Sequence, residues 1–61
     1  MNSAGYNEGR KILEIEFSSS EVYDYFDVPK KLFVGLLNAE SAGKFFNKEI
    51  KQAGFRFQKI S

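Results

Sequence analysis

Lys11-Ile12-Leu13-Glu14-Ile15-Glu16-Phe17-Ser18-Ser19-Ser20-Glu21-Val22-Tyr23-Asp24-Tyr25-Phe26 is the stretch that decides the fold. Its first half alternates, with Leu13, Ile15 and Phe17 on one strand face and Glu14 and Glu16 on the other. Its second half, Glu21 to Phe26, is rich in residues that favour extended backbone. The serines between them make a hairpin loop, too short for a crossover helix. Loop length then sets the faces. A three-residue loop puts Tyr23 and Tyr25 opposite Ile15 and Leu13, in the core. A two-residue loop puts them with Glu14 and Glu16 on the open face, as a stacking platform amid glutamates. Glutamates are a poor seat for nucleic acid, so the core reading is preferred.

Working outward, Asn7-Glu8-Gly9-Arg10 reads as a turn, with Gly9 expected to take the positive φ. Ser3 to Tyr6 is then a first strand. At Val28-Pro29 the pattern changes to a helix from Pro29 to about Asn38, with Leu32, Phe33, Leu36 and Leu37 on one side. Asp27 is expected to cap the chain as it enters that helix. Ser41 reads as the N-cap of a second helix ending near Ala53, with Gly54 at its C′ position and Ala42, Phe46, Ile50 and Ala53 as its buried stripe. Phe55 to Ile60 alternates and forms a last strand. The expected fold is α+β in the order β-β-β-α-α-β: a three-stranded antiparallel meander, two helices and a final strand, with one helix layer on the sheet. Residues 1–61 form a single domain. The expected core is Leu13, Ile15, Phe17, Leu32, Phe33, Leu36, Phe46, Ile50 and Phe57.

Composition permits such a core and excludes much chemistry. Leu, Ile, Val and Phe supply 18 of 61 residues, above the roughly 20% below which chains tend to disorder. Cys and His are both absent, which removes thiol chemistry, disulfides and the usual general base and metal ligand. Glu14 and Glu16 share a strand face but read as ordinary solvated glutamates. Asp24 and Asp27 are a weak Mg²⁺ pair, and the loop serines lack an activating base. No phosphate-binding glycine loop is present. The chain is therefore read as a non-enzyme with no metal and no cofactor. It has no membrane-length apolar run and no signal-peptide stretch, which points to a cytoplasmic protein.

The net charge of +1 conceals an asymmetry. Residues 1–28 sum to −4 and residues 29–61 to +5, which suits an anionic partner for the second half. Lys44, Lys48 and Lys51 fall within a narrow arc of the second helix, opposite its apolar stripe. Phe45 lies beside them, either covered by a loop or exposed among cations. Ser41, the backbone of Gly43, and Lys44 would form a phosphate seat at the helix start, unless Gly43 serves close packing against the first helix. Arg56 and Lys59 could extend the surface. Three to five phosphate contacts would give a log–log salt slope of roughly −2 to −4.

The whole chain resembles the KTSC domain, a module of some 60 residues at the C-terminus of some lysyl-tRNA synthetases and in stand-alone bacterial or phage proteins. Gly5-Tyr6, Leu13-Glu14-Ile15-Glu16-Phe17, Val22-Tyr23-Asp24-Tyr25-Phe26 and Val28-Pro29 carry the resemblance, with Ala39, Ser41, Gly43-Lys44-Phe45-Phe46-Asn47 and Ile50. Tyr23 and Tyr25 match the family's central Tyr-x-Tyr. Departures are Ser19-Ser20, where Gly is frequent, and Gly54-Phe55, where a Tyr is usual. The resemblance supports the fold, suggests RNA binding and transfers no catalytic residue. The expectation is an RNA-binding module using Ser41, Gly43, Lys44, Phe45, Lys48, Lys51 and Arg56, with Tyr23 and Tyr25 as possible stacking residues. The alternative is a protein-interaction module, a phage or bacterial accessory, docking on a host or cellular protein.

Overall fold

The computed structural model describes residues 1–61. Its elements are β1 (Ser3–Asn7), β2 (Ile12–Glu16), β3 (Val22–Tyr25), α1 (Lys30–Asn38), α2 (Ala42–Phe45, running on as a π-helical turn over Phe46–Lys51) and β4 (Phe57–Lys59). The four strands form one antiparallel sheet in chain order. The expected α+β order is observed, with both helices on one face.

Register follows from the serine loop. The Phe17 N–H donates to Glu21 O (2.8 Å) and the Ser20 N–H to Phe17 O (2.9 Å). Three residues therefore close the hairpin, and Ser20 takes the left-handed position at φ 71, as three-residue hairpins require. Leu13 faces Tyr25 and Ile15 faces Tyr23. The three-residue alternative holds, and both tyrosines lie on the helix side.

The buried core is Leu13, Ile15, Tyr25, Val28, Leu36, Phe46 and Ile50. Phe17, Leu32 and Phe33 pack against it half-buried. Val28 is fully buried at the sheet-to-helix corner. Its N–H donates to Lys11 O (3.0 Å) and its carbonyl accepts from the Tyr6 hydroxyl (2.5 Å). Tyr6 in turn stacks on Phe33 of α1, centroids 5.3 Å apart. First strand, corner and first helix are thus tied together.

Several expectations need correction. The positive φ of the first turn belongs to Lys11 (56°), not Gly9. Asp27 itself turns left-handed (φ 57), and Pro29 occupies the N-cap without a side-chain bond, so Asp27 caps nothing. Leu37 is 62% exposed. On a helix it lies ~100° from Leu36, and only Leu36 points into the core. The second helix ends at Lys51, so Ala53 is exposed in the turn leading to left-handed Gly54 (φ 84). Phe57 is 57% exposed. It pairs with Tyr25 on the helix side, yet β4 extends beyond the cover of the helices.

Two stability measurements follow. Phe46 is buried edge-to-face against Phe17 and Tyr25, so Phe46→Ala should cost about 3–5 kcal/mol in chemical denaturation. Ser20→Gly should relieve the left-handed backbone and add up to about 1 kcal/mol, raising Tm by roughly 4–8 °C.

Candidate nucleic-acid interface

Where the sheet outreaches the helices, five aromatic rings form a closed circuit. Phe17 meets Phe46 (5.6 Å), Phe46 meets Tyr25 (5.3 Å), Tyr25 meets Phe57 (5.5 Å), Phe57 meets Tyr23 (5.9 Å), and Tyr23 returns to Phe17 (5.6 Å). The β3–β4 register generates two of the five contacts, placing Phe57 beside Tyr25 and Lys59 beside Tyr23. These rings floor a cleft of about 450 Å³, which Phe55, Asn47, Lys51, Ser19 and Glu21 complete. Burial, and secondarily the neighbouring Tyr23, push the Tyr25 phenol up from its ordinary value. The Tyr25 phenol therefore stays uncharged at neutral pH.

The rim carries the charge. Lys59 Nζ lies 3.0 Å from Glu21 Oε2, and the Ser19 hydroxyl donates to Glu21 Oε1 at 3.1 Å. The hydrogen bond from Lys59, then that from Ser19, lower the Glu21 carboxyl below its ordinary value. The same bond from the other side raises Lys59. Lys51 lines the opposite wall and has no carboxylate partner.

The π turn places Lys51 there. The Gln52 N–H donates to Asn47 O at 3.2 Å, an i→i+5 bond that widens the turn beyond 3.6 residues. Asn47 and Lys51 then share the cleft wall, and the even lysine stripe drawn on an α-helical wheel is broken. Lys44 and Lys48 are exposed elsewhere on the helix.

Of the nine expected site residues, the structure brings Tyr23, Tyr25 and Lys51 together at the cleft. Phe45 is not a free stacking residue: a Cβ added at Gly35 would lie 2.6 Å from its Cζ, so its ring fills the gap left by that glycine on α1. Arg56 sits over the Phe26 ring, 4.9 Å from its centroid, and does not line the cleft. At the helix start the Ser41 hydroxyl accepts from the Lys44 N–H at 3.4 Å. Ser41, Gly43 and Lys44 are all exposed. Gly43 faces open space, so the close helix contact is made at Gly35 instead.

Sequence reasoning missed Phe55, Phe57, Asn47 and Glu21. The signal was the shared alternation of Tyr23/Tyr25 and Phe55/Phe57. It marks one sheet face but not where the helices stop.

The KTSC domain family profile matches residues 1–55. This chain belongs to the KTSC domain family. A KTSC domain protein of Yersinia pestis has a solved structure that superposes with a TM-score of 0.90 at 36% identity, covering 97% of this chain and 82% of that one. An uncharacterized protein of Stutzerimonas stutzeri is 40% identical over 60 residues, 98% of this chain and 84% of its own length. A lysine–tRNA ligase of Nostoc punctiforme is 45% identical over 56 residues, 92% of this chain. The matched region is 10% of the ligase's length. KTSC membership accounts for the small α+β module. No helix of the chain is long and apolar enough to cross a membrane.

The two glycines give a paired test of the helix packing. Gly35→Ala should collide with Phe45 and cost about 1–3 kcal/mol by thermal melting. Gly43→Ala, in open space within a helix, should stabilise by up to about 1 kcal/mol.

Proposed function

We propose that this KTSC domain is a non-enzymatic module that binds single-stranded nucleic acid, RNA foremost. The carrying observation is the five-ring cleft with an unpaired Lys51 on its wall. Exposed Phe57, backed by Tyr23, offers a face on which an unpaired base can stack, and such stacking contributes about 1–3 kcal/mol per base. Lys51 supplies a cation for the phosphate beside that base, with exposed Lys48 and Lys44 further along the helix. This reading moves the seat from the helix start to the cleft and leaves Phe45 and Arg56 out of it. Because every base has a π face, the contact is tolerant of sequence.

A second reading, docking of a protein partner, is favoured by the edge position of β4 and by exposed Ile60 just beyond its end. An extended segment could add there as a further strand. Salt separates the two. Three or four phosphate contacts to a single strand give a log–log slope of about −2 to −3, and an apolar strand-addition interface gives nearly none.

Titration of fluorescein-labelled oligoribonucleotides provides the test. Phe57→Ala should weaken binding by about 5–150-fold without unfolding the exposed strand. Lys51→Glu should weaken it and reduce the salt slope. Glu21→Gln should tighten binding by releasing Lys59 toward phosphate. Wild-type protein that binds no RNA at low salt, or Phe57→Ala and Lys51→Glu variants that bind as wild type, would overturn the reading.

A further inference from the structure

The opposite face of the sheet carries a pair of carboxyls that the cleft does not use. Glu14 on β2 and Asp24 on β3 are direct cross-strand partners. The N–H groups of Val22 and Phe26 both point to β4, bonding Ser61 O and Arg56 O. By alternation Asp24 points its N–H the same way, so Glu14 and Asp24 form a non-hydrogen-bonded pair, the class with Cα atoms only about 4.5 Å apart. One oxygen of Asp24, Oδ1, is buried with no hydrogen-bond partner. A buried acceptor facing a second carboxyl is satisfied when that carboxyl carries a proton.

No neighbouring donor bonds Asp24 Oδ1. On β1 the residue opposite Glu14 is Gly5, and nothing lies within 4 Å of where its Cβ would stand. On β4 the residue opposite Asp24 is neutral Gln58. Ile12 and Val22 flank the pair along the strands. Glu16, two residues on, accepts from the Ser3 hydroxyl at 3.1 Å. Arg10 and Glu8 line the same hollow as Glu14 and Asp24; Glu8 is paired with Lys30 at 3.3 Å, Arg10 makes no ion pair with either carboxyl, and Arg56 is stacked on Phe26 two residues from Asp24. Both helices lie on the other side of the sheet.

We propose that Glu14 and Asp24 share one proton, making the β2–β3 pairing a proton-operated clamp beneath the aromatic cleft. The Glu14 carboxyl is raised from its ordinary value, first because its protonated form can donate to Asp24, then by the like charge of Asp24, and least by burial. The folded chain thus binds more protons than the unfolded chain between the ordinary glutamate value, about 4.3, and the raised one. Stability rises as pH falls through that window. The gain is absent above it, where two like charges oppose each other across the strands. Glu21 acts in the opposite sense at lower pH: its stabilising pair with Lys59 is lost as pH falls through its depressed folded value.

Carboxyl ¹³C shifts and melting curves of the whole chain, recorded from pH 7 to pH 4, test the clamp. The Glu14–Asp24 pair should show one titration above the ordinary carboxyl range, and Tm should rise by roughly 1–8 °C between pH 7 and pH 5. Glu14→Gln, a permanent donor to Asp24, should show that gain already at pH 7 and lose the slope. Asp24→Asn should also flatten the slope and return Glu14 to an ordinary titration. Glu14 and Asp24 both titrating in the ordinary range in wild type, or an unchanged Tm slope in either variant, would overturn the proposal.

Discussion

The structure depends on the closure of one loop. Phe17 and Glu21 bond across Ser18-Ser19-Ser20, and that fixes which residues of β2 and β3 share a face. A slip of one residue would turn every side chain of β3 to the other side. Tyr23 and Tyr25 would then join Glu14 and Glu16, leaving Leu13 and Ile15 without their cross-strand partners. Ser20 holds the loop in left-handed backbone (φ 71), a conformation that costs an L-residue about 1–2 kcal/mol. Burial of the Leu13, Ile15 and Tyr25 face more than offsets it. A one-residue slip would place the Asp24 carboxylate under the helices.

From that register the cleft follows by mismatch of widths. The sheet has four strands, and the two short helices cover it from β1 to part of β3. Tyr6 and Phe33 bring α1 down over β1, and buried Val28 fixes the corner from which α1 departs. Phe45 packed on Gly35 brings the second helix against the first. What remains uncovered is the Tyr23, Tyr25 and Phe57 end. There the π turn widens the second helix and sets Asn47 and Lys51 facing the rings. Wide turns of this kind often accompany functional sites because they redirect side chains at the expense of regular bonding.

Charge divides by face as well as along the chain. Glu14, Glu16 and Asp24 belong to the open face, and Lys51 and Lys59 to the helix side. The dipole evident from residue order is therefore also a dipole through the sheet. On the cleft side cations stand beside exposed aromatic surface, whereas on the open face Arg56 is stacked on Phe26 and Arg10 lies with Glu14 and Asp24. The single rim acid, Glu21, is neutralised by Lys59.

The sequence by itself determined the element order, the antiparallel meander, the two helices and the face of Leu13, Ile15, Phe46 and Ile50. These rest on local periodicity and on turn chemistry, which neighbours in the chain specify. It also narrowed the hairpin to two registers, with polarity favouring the observed one. Tertiary structure decided which half-apolar residues are covered. Leu37, Ala53 and Phe57 satisfy the same wheel or alternation as their buried neighbours, yet lie exposed because no element reaches them. It also decided which glycine makes the close contact, Gly35 rather than Gly43, and it separated Lys51 from Lys44 and Lys48. A wheel drawn at 100° per residue cannot contain an i→i+5 turn, and strand alternation does not show where a helix layer ends. Those features depend on how far one element extends over another, which is a property of packing rather than of pattern.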